Sequence, residues 1–173
     1  MNRRENAVTF KGAPMTLVGD AISVGQSAPD FNLHYYEGGM QTLSLADLKG
    51  KPSLISVVPS LDTGVCAIQT QKFNEELSAL GDQVNAVTVS LDLPFAQGRF
   101  CGEHNISMRT ASDYQDRSFG TAWGLLIDEL KLLTRAVFVL NAEGEVTFVD
   151  VCDEVTNEPD YASAMDALKA ALA

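Results

Sequence analysis

Apolar segments of two kinds organise the middle of this chain. The run Leu54–Val58 is nearly unbroken in apolar residues, which is typical of a strand buried on both faces of a sheet. From about Ala67 to Leu80 the apolar residues recur at helical spacing. Ala86–Leu91 follows as a second apolar strand. The short segment Pro59–Cys66 therefore connects a buried strand to a helix whose apolar face begins at its cysteine.

Hairpin patterns lie at both ends of the chain. Residues 8–18 alternate around Lys11–Pro14 and predict an N-terminal β-hairpin, while Ala136–Leu140 and Val146–Val149 predict a second one. Between the hairpins strands and helices alternate, which favours a mixed sheet covered by helices. A length of 173 residues fits one compact domain, so we expect residues 1–173 to form a single domain.

Shorter segments complete the predicted secondary structure. We predict a strand over Phe31–Tyr35, helices over Pro94–Cys101 and Gln115–Trp123, and a last helix that begins at Pro159. Gly81 is expected to end the first helix as its C-cap, because glycine adopts the left-handed conformation without strain.

The charge balance narrows the classes of partner. The formal net charge of −11 argues against a nucleic-acid phosphate backbone or an anionic membrane surface as the main partner. No apolar run approaches the ~18–20 residues of a membrane span, and Met1–Ala7 is not followed by the apolar core of a signal peptide. We therefore expect a cytoplasmic protein that binds neither nucleic acid nor membrane.

Three cysteines, Cys66, Cys101 and Cys152, are the candidates for chemistry. Their odd number and long spacings argue against a secreted disulfide framework. No CxxC pair occurs, and His34 and His104 lack metal-ligand spacing to any cysteine. We therefore predict no metal site, and we expect both histidines at the surface.

Cys66 has the position at which a thiolate is best stabilised. It enters a helix directly after a buried strand, where backbone N–H groups have no intrahelical acceptor and the helix dipole favours a negative charge. The thiolate is the nucleophilic form of cysteine. The residues alone thus predict a reactive cysteine at position 66 and leave its reaction open.

The residues around this cysteine add a resemblance to a known family. Pro59, Thr63 and Cys66 match the PxxxTxxC pattern of the peroxiredoxins, and the longer string PSLDTGVC resembles the bacterial thiol peroxidase subfamily, of the atypical two-cysteine type. The segment Asp92–Cys101 resembles the resolving-cysteine segment of that subfamily, and Arg135 matches its active-site arginine. The resemblance extends over nearly the whole chain.

This resemblance implies a thioredoxin-like α/β fold and a thiol-dependent peroxidase. Cys66 would be the peroxidatic cysteine, oxidised to a sulfenic acid by hydrogen peroxide or an alkyl hydroperoxide, and Cys101 would resolve it as an intramolecular disulfide. Thr63 and Arg135 would orient the thiolate and the peroxide, and Pro59 would shape the pocket. The resemblance further implies a thioredoxin-type reductant, a homodimer, and no cofactor, because the cysteine sulfur itself supplies the two electrons that reduce the peroxide.

Several residue assignments stay open at this point. Arg99, Arg109 or Arg117 could complete the pocket in place of Arg135, and Thr63 is also placed to serve as a helix N-cap. Cys152 has no partner motif and is interpreted as a packing thiol. Phe119 and Trp123 are interpreted as core residues.

The pairing of two helical cysteines also predicts a structural change. A disulfide needs Cα atoms roughly 4.4–6.8 Å apart, so we expect local unwinding at Cys66, in the Pro94–Cys101 helix, or in both. Gly98 weakens that second helix by roughly 1 kcal/mol relative to alanine. Unequal amide exchange in the reduced and oxidised protein would reveal the unwinding.

Two other functions compete with the peroxidase. A thiol–disulfide oxidoreductase on the same fold would reduce insulin disulfides without peroxide turnover, although the absence of CxxC argues against it. A redox switch or chaperone-like binding protein would be oxidised once and show little turnover with a thioredoxin system.

Overall fold

Strands and helices alternate through most of this chain. A computed structural model describes all 173 residues. The strands are β1 Arg3–Phe10, β2 Ala13–Val18, β3 Leu33–Tyr36, β4 Met40–Leu43, β5 Ser53–Val57, β6 Asn85–Ser90, β7 Arg109–Ser112, β8 Leu126–Ile127, β9 Leu132–Leu133, β10 Ala136–Leu140 and β11 Val146–Val151. The α-helices are α1 Gly64–Leu77, α2 Pro94–His104, α3 Ser118–Ala122 and α4 Tyr161–Ala170, and short 3₁₀ turns occupy Leu45–Leu48 and Gly81–Gln83.

Seven strands form a mixed central sheet in the order β11-β10-β5-β6-β7-β3-β4. β5, β6 and β7 run parallel, and every other neighbouring pair is antiparallel. The parallel strands β5 and β6 carry the apolar runs because they lie in the interior of the sheet and are buried on both faces. The predicted mixed sheet covered by helices is confirmed.

Helices cover the two faces of this sheet with separate apolar clusters. Phe73 of α1 and Met165 of α4 pack with Leu54, Val137 and Val139 on one face. The aromatic residues of the other face, Phe31, Phe119, Trp123 and Phe138, pack with the remaining side chains of the same strands. Phe119 and Trp123 are fully buried, as the sequence predicted.

The N-terminal hairpin belongs to a second, smaller sheet. β1 and β2 pair as predicted for residues 8–18, although β1 begins earlier, at Arg3, and contains a bulge between Arg4 and Val8. β2 then pairs with β8, and β8 with β9, to give the order β1-β2-β8-β9. None of the helices combines the length and apolar character needed to cross a membrane.

The helix boundaries correct several of the sequence predictions. α4 begins at Tyr161, two residues after the predicted start at Pro159. α1 begins at Gly64, three residues before the predicted start, because glycine and valine at its first positions have low helix propensity and disguise the first turn. Gly81 does not cap α1, which ends at Leu77; its φ of +51° instead starts the following 3₁₀ turn. α3 covers Ser118–Ala122, a shorter segment than predicted.

His34 is also placed differently from the prediction of a surface residue. The side chain is buried, since β4 covers the edge of β3 on one side and Ser112 of β7 pairs with His34 on the other. Its ring packs edge-on against Tyr114. His104 is exposed as predicted, and its ring accepts or donates a hydrogen bond with Gln71.

Candidate active site

The loop between β5 and α1 places Cys66 in the first helical turn. Thr63 precedes the helix with extended backbone angles, φ −108° and ψ 147°, so the chain turns sharply from strand to helix. Cys66 is fully buried and packs with Val58, Leu61 and Phe100 of α2. Pro59 is buried two residues after the end of β5 and lies in the same loop.

Two donors contact the sulfur of Cys66. The Thr63 hydroxyl oxygen lies 2.7 Å from Sγ, and Nη2 of Arg135 lies 3.3 Å from it. The amides of Gly64, Val65 and Cys66 have no backbone acceptor, as expected for the first turn of a helix. The sulfur therefore lies among groups that each favour a negative charge.

The guanidinium of Arg135 is held in one orientation by hydrogen bonds to two other residues. Its Nε donates to the carbonyl of Val155 at 2.7 Å, and Nη1 donates to Oε1 of Gln69 at 2.8 Å. Gln69 is itself buried and donates to the hydroxyl of Ser56 at 2.8 Å. The rigid fork of donors is thus fixed so that Nη2 points at the Cys66 sulfur.

Arg135 has no acidic partner. Its side chain is 2% exposed, and it takes part in none of the ion pairs of the chain, all of which lie at the surface. A buried charge without a counter-charge is costly, because water no longer solvates it. The Cys66 sulfur is the one group within hydrogen-bonding distance of this guanidinium that could become an anion.

The Thr63 hydroxyl can adapt to the protonation state of Cys66. Its oxygen lies 2.9 Å from the carbonyl oxygen of Ser60 as well as 2.7 Å from Sγ, and a hydroxyl has a single hydrogen to donate. With a thiol, the S–H donates to the hydroxyl, which donates to Ser60. With a thiolate, the hydroxyl donates to sulfur, and the Ser60 carbonyl keeps the Thr63 amide at 3.1 Å.

Comparisons with known proteins agree with this geometry. Residues 23–165 match the redoxin family. The chain is 53% identical to the thiol peroxidase of Halalkalibacterium halodurans over 167 residues, and this alignment covers 96% of this chain and 99% of that relative. It is 51% identical over 164 residues to the thiol peroxidase of Bacillus subtilis, covering 94% of this chain and 96% of that one. A crystal structure of a peroxiredoxin-like protein from Aquifex aeolicus superposes with a TM-score of 0.88 at 38% identity and covers 97% of this chain and 99% of its own.

The chain belongs to the thiol peroxidase subfamily of the peroxiredoxins. The predicted thioredoxin-like peroxiredoxin fold with an N-terminal hairpin is likewise confirmed.

Cys101, the predicted resolving residue of this peroxiredoxin, lies in α2. It is half-buried, packs against the cluster that contains Cys66, and its sulfur lies 3.6 Å from the hydroxyl of Thr110. Burial raises the pKa of the Cys101 thiol above its ordinary value. Both cysteines have free thiols in this structure.

Cys152 has the environment of a packing residue. It is buried directly after β11, and burial, assisted by the charge of Asp150, raises the pKa of its thiol to about 11. A thiol with such a pKa remains protonated at neutral pH. It therefore lacks the thiolate character that a nucleophile needs.

The other three candidate arginines lie away from the sulfur. Arg99 pairs with Asp62 at the surface, at 3.6 Å. Arg109 pairs with Glu37 and stacks on the ring of Tyr35, and Arg117 precedes α3 with a left-handed backbone. Of the four arginines considered, only Arg135 contacts Cys66.

Thr63 occupies the N-cap position of α1 but does not cap it with its side chain. No hydrogen bond joins its hydroxyl to the helix amides, because the hydroxyl is directed at Ser60 and at the sulfur. The sequence interpretation also missed Gln69. The signal that could have revealed it was a polar residue within the apolar stripe of the helix, three residues after Cys66 and four before Phe73.

Proposed function

We propose that this protein is a peroxidase that reduces hydrogen peroxide and alkyl or lipid hydroperoxides to water or alcohols. The observation that carries the proposal is the contact of one buried sulfur with the Thr63 hydroxyl and with a buried guanidinium that has no carboxylate partner. Membership of the thiol peroxidase subfamily supports the same activity.

In the proposed first step, the Cys66 thiolate attacks one oxygen of the hydroperoxide. An S–O bond forms, the O–O bond breaks, and the leaving oxygen takes up a proton to become water or an alcohol. Donors that are oriented before the reaction stabilise the charge that develops on the leaving oxygen. Arg135 and Thr63 are held as such donors, and the buried Pro59 helps to keep water from the sulfur.

In the proposed second step, Cys101 attacks the sulfenic acid on Cys66. The thiol of Cys101 loses its proton, a disulfide forms between the two residues, and water leaves. Because burial raises the pKa of the Cys101 thiol, this thiol must give up its proton during the step itself. A dithiol reductant of the thioredoxin type then restores both thiols by disulfide exchange.

The proposal also covers the domain organisation, the oligomeric state and the cellular location of the enzyme. We take residues 1–173 as one catalytic domain, since Val151 packs both with the main core and with the cluster under the hairpin. The exposed apolar side chains of Leu93 and Phe95, beside the start of α2, support a homodimer through this surface. A cytoplasmic setting fits, because a thioredoxin-type reductant works in a reducing compartment.

Steady-state peroxide consumption with thioredoxin and its reductase tests the function. We expect Cys66→Ser to be inactive and Cys101→Ser to complete one turnover and then stall or become over-oxidised. Cys152→Ala is the matched control, and it should cycle at the wild-type rate because Cys152 lacks thiolate character. Continued cycling by Cys66→Ser would refute the proposal, and insulin reduction without peroxide turnover would favour a thiol–disulfide oxidoreductase.

A further inference from the structure

Asp92, in the loop between β6 and α2, accepts hydrogen bonds from the loop before α1 and from the last residue of β6. Its Oδ1 accepts from the hydroxyl of Ser60 at 2.7 Å. Its Oδ2 accepts from the amide of Leu61 and from the hydroxyl of Ser90, each at 2.8 Å. Ser60 and Leu61 belong to the loop that leads into α1 and Cys66, whereas Ser90 ends β6.

The hydrogen-bonded path continues from Asp92 toward both cysteines. On one side, the carbonyl of Ser60 accepts the Thr63 amide, and the Thr63 hydroxyl contacts the Cys66 sulfur. On the other side, the Ser90 hydroxyl accepts Nε2 of Gln97 at 2.9 Å. Gln97 is buried and lies one helical turn before Cys101 in α2. A single carboxylate thus joins the loop of one cysteine to the helix of the other.

Neutral donors alone satisfy this carboxylate. Asp92 belongs to none of the ion pairs of the chain, and its three donors are two hydroxyls and one amide. Hydrogen bonds to a charged acceptor are stronger than those between neutral groups. Removing the carboxylate therefore weakens the junction without leaving an unpaired buried cation behind, so the fold is expected to survive the change.

We propose that Asp92 is a positioning residue that sets the balance between the two chemical steps. The inference rests on the proposed function, in which peroxide attack needs the intact pocket and disulfide formation needs Cys101 to move toward Cys66. The bonds to Asp92 stabilise the intact arrangement of the loop and of α2. Loss of Asp92 consequently slows the first step and accelerates the second.

Rapid-mixing kinetics on Asp92→Ala test this opposite pair of effects. We expect the rate constant of the reduced protein with hydrogen peroxide to fall about tenfold and disulfide formation from the sulfenic acid to become about tenfold faster. At a fixed peroxide dose, the variant then yields less over-oxidised Cys66 than the wild type. Asp92→Asn keeps one acceptor oxygen, so both of its shifts have the same signs and are smaller.

Asp166→Ala is the control, because Asp166 is an exposed residue of α4 outside this network. Amide exchange of the reduced proteins gives a readout that does not depend on turnover: exchange across residues 60–66 and 94–101 rises in Asp92→Ala and not in the control. If Asp92→Ala does not fold, the signs of the two shifts in Asp92→Asn decide.

Two results would overturn the role of Asp92: both steps slowed together, as in a general loss of structure, or both rates unchanged. Failure of the proposed function has a different signature. In that case Cys66→Ser would still consume peroxide, whereas the exchange behaviour of Asp92→Ala could still be measured and interpreted.

Discussion

Replacing Thr63 with valine removes one hydroxyl from the sulfur and almost no volume. In the wild type this hydroxyl lies 2.7 Å from Sγ of Cys66 and can donate its hydrogen to the thiolate. Valine has a methyl group at that position and donates nothing. The Thr63 side chain is exposed, so we expect the free energy of unfolding to change by no more than about 0.5 kcal/mol.

The size of the kinetic effect follows from the role of the hydroxyl. Loss of one oriented donor from an active site costs about 2.7–4 kcal/mol of transition-state stabilisation, which corresponds to about 10²–10³ in rate. We expect a loss of this size because only Arg135 and the first-turn amides of α1 remain to compensate. Thr63→Ser keeps the hydroxyl and should retain most of the rate.

Stopped-flow measurement of the reaction between the reduced protein and hydrogen peroxide gives the required rate constant. The comparison of Thr63→Val with Thr63→Ser separates the hydroxyl from the methyl group. A loss of less than about tenfold in Thr63→Val, equivalent to under about 1.4 kcal/mol, would refute the reasoning. A similar loss in both variants would show that shape, and not the hydroxyl, is what the site requires.

Three further predictions concern the buried polar groups. Arg135→Met should lower the rate constant with peroxide, measured by stopped-flow kinetics, by a factor of at least about 10². Arg135→Lys should recover only part of that rate constant, because lysine cannot contact the sulfur, Gln69 and Val155 together. Gln69→Leu should lower the unfolding free energy measured in urea by about 1–3 kcal/mol, because it leaves a buried N–H donor of Arg135 unpaired. Gln69→Glu restores an acceptor for that donor and should lower the unfolding free energy less. Burial raises the pKa of Asp113 to about 6, so the Asp113 carboxyl binds its proton more tightly in the folded state than in the unfolded state. The contribution of Asp113 to stability therefore falls as pH rises from about 4 to 6, by about 3 kcal/mol at most. Urea unfolding at several pH values should show that the unfolding free energy of Asp113→Asn falls less between about pH 4 and 6 than that of the wild type. The same pH dependence in both proteins would contradict the raised pKa of Asp113.

The central strands and the loop before Cys66 could be predicted because local patterns determine them. The apolar run of β5 and the helical spacing after it place Cys66 at a strand-to-helix turn. The motif residues Pro59 and Thr63 lie within the same loop. Local sequence therefore indicated the position of Cys66, and the family resemblance added Thr63, whose hydroxyl lies 2.7 Å from the Cys66 sulfur.

Contacts between distant segments could not be predicted in the same way. Gln69 acquires its role only because Arg135, 66 residues later, brings Nη1 within 2.8 Å of its oxygen. The strands β8 and β9 have two residues each and form only because β2 offers an edge to pair with. His34 was wrongly expected at the surface because its burial depends on β4 and β7 as neighbours of β3.

The identity of the first oxidised sulfur tests the account most directly. Reduced Cys101→Ser protein is mixed with one equivalent of hydrogen peroxide, treated with a reagent that traps sulfenic acids, and mapped by mass spectrometry. The account predicts that the peroxide is consumed and that the trapped oxygen-bearing sulfur is Cys66, while the wild type yields a Cys66–Cys101 disulfide and no trapped adduct. A sulfenic acid found on Cys152 with Cys66 unmodified, or no consumption of peroxide, would contradict it.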